Sequence, residues 1–303
     1  MGNILYPPAR PQSVGEVLDS AFRIYGATLL KCLPYSFSSV ILGQLLSVYD
    51  LLHRHALTPA AVQTAQMQQL RDPLWWALLV ILIVASTMFA NAVFLRQYAL
   101  ATGGATAMRT ELGRGLQRVP GVLLMGIVVT LAFAATLIPV MLALAAIAGV
   151  AGIVRTGSPM SAGIWAVSGM FLAMLIAGSW VVIKWVCSVP IYLLSERGPI
   201  ASLSHSWQLT AGNFWRLSVI YTVGVILLLV FYILASVAGG AAALLVGRGD
   251  IVLFLAVTSV VIALLAALFT PFYQALILAV CGDLSVRREG ADLAQRISAP
   301  AIP

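Results

Sequence analysis

From Val119 to Ile183 the chain carries a single charged residue, Arg155. Such a stretch has no place in a water-soluble domain, where about 25% of residues are charged. The same emptiness recurs along the chain: uncharged stretches run from Cys32 to Tyr49, Pro73 to Leu95, Val119 to Val154, Thr156 to Ile183, Leu217 to Gly247 and Ile251 to Gly282. Each can hold one helix of the roughly 17 to 25 residues needed to cross the hydrocarbon core of a bilayer. With 61% hydrophobic and 9% charged residues over 303 positions, a soluble globule and a disordered chain are both excluded. The expected fold is all-α, a single polytopic membrane domain of six transmembrane helices. The stretch from Val119 is read as one long helix kinked at Pro139, because two helices and a turn would need about 40 residues.

Orientation follows from the distribution of cations, which favour the cytoplasmic side of a membrane. With both termini cytoplasmic, only Arg54, Arg71, Arg155 and Arg248 fall outside, out of 17 Lys and Arg. The net charge of +7 is then a basic inner surface meeting anionic lipid, with no call for nucleic acid. The opening residues lack a basic group followed by an apolar core, so no cleaved signal peptide is expected. Cys32, Cys187 and Cys281 lie far apart, in neither a zinc nor a disulfide pattern.

Three segments beside the spans read as amphipathic helices lying in the membrane interface. Ser13 and Glu16 form a capping box, in which a hydroxyl and a carboxylate satisfy the first free amides of a helix. Val14, Val17, Leu18, Ala21, Phe22 and Tyr25 then share one face, with Glu16, Asp19 and Arg23 opposite. A second helix is expected over 106–119, Met108, Leu112, Leu116 and Val119 facing away from Arg109, Glu111, Arg114 and Arg118. A third starts at Pro199, a favourable first-turn residue, with Ile200, Leu203, Trp207 and Thr210 opposite Ser202, His205 and Gln208.

These helices align with one another. Sliding the chain by 185 residues sets Leu18–Ile24 over Leu203–Leu209 and Leu29–Lys31 over Phe214–Arg216, and a shift of 94 sets Phe22 and Arg23 over Leu116 and Gln117. The chain thus reads as three parallel repeats, 13–104, 105–198 and 199–297, each an interfacial helix followed by a two-span hairpin.

Three stretches also resemble a family. Pro11 to Tyr25 is similar to the opening of the bacterial glycerophosphoryl diester phosphodiesterase membrane domain proteins. Pro190 to Trp215, with Glu196, Ser206, Trp207, Gly212 and Trp215, resembles their central signature, and Asp283 to Gly290 followed by Asp292 and Leu293 their closing tail. Gly282 stands where the family usually has an aromatic residue, and Ser285 where it usually has Arg. The resemblance implies a membrane region of the kind joined, in larger proteins, to a soluble phosphodiesterase barrel.

The residues argue against phosphodiesterase chemistry in this chain. Metal-assisted cleavage needs an acid and base pair with carboxylates to hold the metal, and the chain has only His53, His55 and His205, with ten carboxylates scattered along it. A barrel of about 250 residues does not fit beside six spans. No catalytic residue, metal or cofactor is expected, and the chain is read as a non-enzyme. The leading expectation is a bacterial inner-membrane protein that organises or handles lipid at the cytoplasmic leaflet. Its partners would be membrane lipids, anionic ones above all, contacted by Arg23, Arg109, Arg114, Arg118, Arg287 and Arg288. The competing expectation is a small transporter or channel with a polar site between the repeats. Asn91, Lys184 and Gln274, spaced by 93 and 90 residues, would form it with Asp283. Protein partners and self-association into a homo-oligomer stay open.

The orientation is testable by labelling single cysteines on intact cells. A cysteine at Gln66 should react with an impermeant reagent from outside, and one at Arg288 should not; the reverse pattern would overturn the assignment.

Overall fold

The computed structural model describes residues 4–53, 71–156, 167–169, 174, 178–247 and 251–290. Among them every regular element is helical and there is no strand. The elements are α1 (Val14–His53), α2 (Pro73–Ala101), α3 (Met108–Gln117), α4 (Val119–Thr156), α5 (Ser188–Leu194), α6 (Pro199–Thr210), α7 (Phe214–Gly247) and α8 (Ile251–Glu289). Residues 178–185 are also helical, with a turn at Val186 and Cys187 leading into α5. Five apolar segments are long enough to cross a bilayer: Val14–Leu46, Pro73–Ala101, Val119–Ile147, Phe214–Leu245 and Val257–Arg288. The span expected over 156–183, like most of the external loop from His53 to Asp72, falls largely outside the described residues.

Local chemistry sets the helix starts. Ser13 donates its backbone N–H to Glu16 Oε2 at 2.7 Å while Glu16 N–H reaches Ser13 Oγ at 3.3 Å, the expected capping box. Asp72 caps α2 through Leu74 N at 2.9 Å, with Pro73 at the first helical position, where its missing N–H costs nothing. Pro199 opens α6 in the same way. α4 is one continuous helix with Pro139 inside it, as its length required.

One boundary differs from expectation. The segment from Ser13 and the first span are not separate elements but one helix of 40 residues. Neither breaker near the joint ends the helix: Gly26 weakens it by only about 1 kcal/mol, and Pro34 removes one ladder bond, to Leu30 O, within the continuous helix. A single buried stripe, Val17, Ala21, Ile24, Thr28, Cys32, Tyr35 and Ser36, runs along this helix, whereas Phe22 is exposed.

Contacts divide the chain into two units, Met1–Val119 with Ile220–Pro303, and Pro120–Val219. In the first, α1 packs on α8 and α2, and α2 carries α3. The joint is Pro271, inside α8. Proline has no N–H, so the carbonyl of Ala267, four residues earlier, loses its helical donor. Ser36 Oγ of α1 donates to that carbonyl. Tyr25 Oη donates to the next one, Leu268 O, at 3.2 Å, and Gln97 Nε2 of α2 to Pro271 O at 2.7 Å. In hydrocarbon no water can satisfy a freed carbonyl, so the stretch around Pro271 becomes the docking point for α1 and α2.

In the second unit Met125, Tyr192 and Leu203 form the core with Val122, Val129 and Trp185 around them. Gly121 makes room for Tyr192 there: a Cβ would lie 2.1 Å from Tyr192 Oη, so the ring would have to move.

Substitution Ser36→Ala should destabilise the protein by about 1 kcal/mol. In a Pro271→Ala background, where residue 271 regains an N–H for Ala267, the same change should cost close to nothing. Denaturant unfolding in detergent micelles measures both; equal costs in the two backgrounds would contradict the proline account.

Candidate functional site

The first unit buries a carboxylate. Glu111 is 2% exposed, although a water-based reading of α3 puts it among the solvated arginines. Arg96 Nη1 of α2 lies 3.1 Å from Glu111 Oε1 and also donates to Thr106 O at 2.6 Å. Tyr35 Oη of α1 donates to Glu111 Oε2, and Thr106 Oγ1 to Oε1. Three elements thus meet at one anion. A buried charge persists only when paired and hydrogen-bonded, and the carboxylate has both a cation and two hydroxyls.

Gly115, one turn further on α3, completes the joint. A Cβ there would fall 2.9 Å from Met88 O, so only glycine lets α3 lie against the α2 backbone. That approach brings Gly115 O within 3.1 Å of Asn91 Nδ2, the amide it accepts from. Cys32, Tyr35, Ala92 and Val93 pack beside the ion pair, flanked by Phe89 and Leu112.

The second buried carboxylate is Asp283 near the end of α8, 1% exposed. It accepts Gln12 N at 2.7 Å and Arg287 Nε at 3.0 Å, while Arg287 Nη2 donates to Gln12 O at 2.5 Å. The residues before α1 thereby form a strap. Leu5 N and Tyr6 N donate to Ala101 O at the end of α2, at 2.8 and 3.1 Å. The Tyr6 ring meets Tyr98 edge-on at 5.5 Å. A Cβ at Gly282 would lie 2.6 Å from Tyr6 Cε2 and 2.9 Å from Pro8 Cδ. The Tyr6 ring and Pro8 of the strap thus occupy the space that a side chain at 282 would need.

The expected polar membrane site is distributed over several joints. Asn91 ties α2 to α3, Gln274 Nε2 ties α8 to Ala90 O of α2 at 3.1 Å, and Asp283 anchors the strap nine residues beyond Gln274. Lys184 belongs to the second unit, its ammonium 5.1 Å from the centroid of the Trp207 ring. Among the expected headgroup contacts, Arg109, Arg114 and Arg288 are exposed and Arg118 is half-buried. Arg23 is exposed and paired with Asp19 at 2.6 Å. Arg287 is exposed as well and is paired with Asp283 at 3.0 Å. His55 lies outside the described residues, and the side chain of His53 likewise. Among the described residues no three His, Cys, Asp or Glu side chains come together as a metal site would require.

Sequence reasoning missed the pairing of Arg96, Tyr35 and Glu111. One signal was there: Glu111 is the sole carboxylate between Pro73 and Ser195. A solitary acid in so apolar a stretch points to a buried partner.

A family model described as the membrane domain of glycerophosphoryl diester phosphodiesterase matches residues 156–289. No curated protein and no solved structure matches the chain. The matched region holds Lys184, Gln274 and Asp283, whereas the Arg96–Glu111 pair lies before it. With five long apolar helices, the match identifies a membrane-embedded protein.

Removing Arg96 alone, as Arg96→Gln, should destabilise the fold by about 3 to 5 kcal/mol, because Glu111 is left as an uncompensated buried anion. The double substitution Arg96→Gln with Glu111→Gln should recover much of that loss in detergent unfolding. Additive costs would mean that the two groups are not coupled.

Proposed function

We propose that this is a non-enzymatic protein of the bacterial inner membrane, with six spans and both termini cytoplasmic, that organises or handles lipid at the cytoplasmic leaflet. One observation carries the reading. α3 exposes Arg109 and Arg114 together with the apolar Met108 and Leu116, which are 53% and 50% exposed, while its only carboxylate turns inward onto Arg96. A helix with cations and apolar chains on its outer side, and its acid hidden, suits the layer between anionic headgroups and acyl chains. Each arginine there contributes about 1 kcal/mol of attraction to an anionic surface. Arg23 and Arg288 are further exposed cations, and Arg118 is half-buried.

A second reading, a transporter or channel with a site between the repeats 13–104, 105–198 and 199–297, draws support from buried amides. Gln97 Oε1 and Gln274 Oε1 are buried with no hydrogen-bond donor among the described residues. Polar groups of that kind deep in apolar helices mark solute paths in transporters. The lipid reading is preferred because Asn91 and Gln274 each make a helix-joining bond and Asp283 anchors the strap before α1.

Reconstitution with spin-labelled phosphatidylglycerol and phosphatidylcholine tests the proposal. The wild-type protein should immobilise the anionic lipid preferentially. Replacing Arg109, Arg114 and Arg118 together by Gln should lower that preference several-fold, with a smaller effect at high salt. Equal immobilisation of both lipids by the wild type would refute the electrostatic reading.

A further inference from the structure

Lys184 lies in the last turn of the helical stretch 178–185, just before the turn at Val186 and Cys187, and α6 is bound to its carbonyl. Ser206 Oγ and Thr210 Oγ1 donate to Lys184 O at 3.0 and 3.3 Å. The main chain of Lys184 is therefore held, and its ammonium is directed over the Trp207 ring, 5.1 Å from the centroid. Trp207 is fixed in turn by two other indoles: Trp180 edge-on at 5.1 Å and Trp185 tilted at 5.7 Å. Trp180 and Trp207 remain 39% and 36% exposed, so this wall of indoles opens outward.

Lys184, whose ammonium meets this wall at Trp207, is half-buried as a residue. Among the described residues no carboxylate pairs with it and no oxygen accepts its protons. The indole face stabilises the charge, yet a π-cloud takes up none of the three N–H donors in an ordinary hydrogen bond. Such a group calls for a compact anion from outside the protein. Indole rings favour the headgroup layer of a membrane, and an ammonium binds phosphate as a point charge.

We propose that Lys184 is the phosphate-binding residue of a phospholipid site, with Trp207 and Trp180 packing against the glycerol and upper acyl carbons of the bound lipid. The site rests on the lipid-handling reading and names the chemical group it would recognise. Its role differs from that of the α3 arginines: those attract an anionic surface, whereas Lys184 holds one phosphodiester in place.

The test uses the full chain in mild detergent, with lipid occupancy read by native mass spectrometry. The probes are phosphatidylglycerol, a diacylglycerol with the same chains but no phosphate, and soluble glycerophosphoglycerol. The wild type should retain phosphatidylglycerol over both others. Lys184→Gln should weaken that retention about fivefold, the equivalent of ~1 kcal/mol for one cation, and Lys184→Arg should restore it. Trp207→Ala should lower it as well, while Trp207→Phe, which keeps a ring under the ammonium, should lower it less. Unchanged retention in Lys184→Gln would overturn the proposal. So would glycerophosphoglycerol binding as tightly as the lipid, because the ligand would then be a free phosphodiester. Loss of anionic-lipid preference in the Arg109, Arg114 and Arg118 variant, with Lys184-dependent retention intact, would separate the two sites and support this one.

Discussion

An ionised carboxylate taken out of water must bring its compensation with it, and the arrangement of α1, α2 and α3 depends on how Glu111 does so. Its partners arrive from three elements: Tyr35 from α1, Arg96 from α2, and Thr106 from the turn leading into α3. Each would be ordinary elsewhere. Together they make α3 a docked element, since moving it would strip a buried anion of its cation and both hydroxyls. Gly115 and Asn91 follow from the same closeness, one by leaving room and the other by using the carbonyl that the approach exposes.

The constraint extends to uncharged groups. Pro271 frees a carbonyl in a region without water, and Ser36 answers it from another helix. Asp283 similarly collects the backbone of Gln12 and the guanidinium of Arg287. Polar atoms are few in this chain, so each buried one is committed to a particular partner and thereby specifies which helices touch. Apolar packing then fills the remaining space: Leu276, Leu278 and Leu284 of α8 are fully buried, but leucines alone would not select a register.

The Asp283 clasp also gives physical content to the family resemblance. The opening motif around Gln12 and Ser13 and the closing motif at Asp283 and Arg287 stand at opposite ends of the chain, yet they form one joint. The glycine at 282 and the tyrosine at 6 belong to the same fit, because a side chain at 282 would collide with the Tyr6 ring.

Much of the helical framework was legible in the residues. Uncharged length marked the long apolar helices, Ser13 with Glu16 marked the start of α1, Pro199 marked the start of α6, and the single long helix through Pro139 followed from its length. Which face of a helix turns inward was legible only in part: Val17, Ala21 and Leu203 are buried as expected, but other positions of the amphipathic helices are not. In α3 the buried positions are Glu111 and Gly115 while Met108 and Leu116 face out. In α6 Ser202 and Ser206 are buried while Ile200 and Trp207 face out. Periodicity identifies the side of a helix that avoids water, but in a bilayer both lipid and protein interior satisfy that preference. Small and polar side chains gain most from the inside, where backbones approach and hydrogen bonds can close. The sequence by itself therefore determined that the chain must be membrane helices and roughly where they run. Only the tertiary structure decided that Glu111 meets Arg96, that Asp283 meets Gln12 and that Lys184 meets Trp207, because each pairing depends on which polar atom another segment brings within reach.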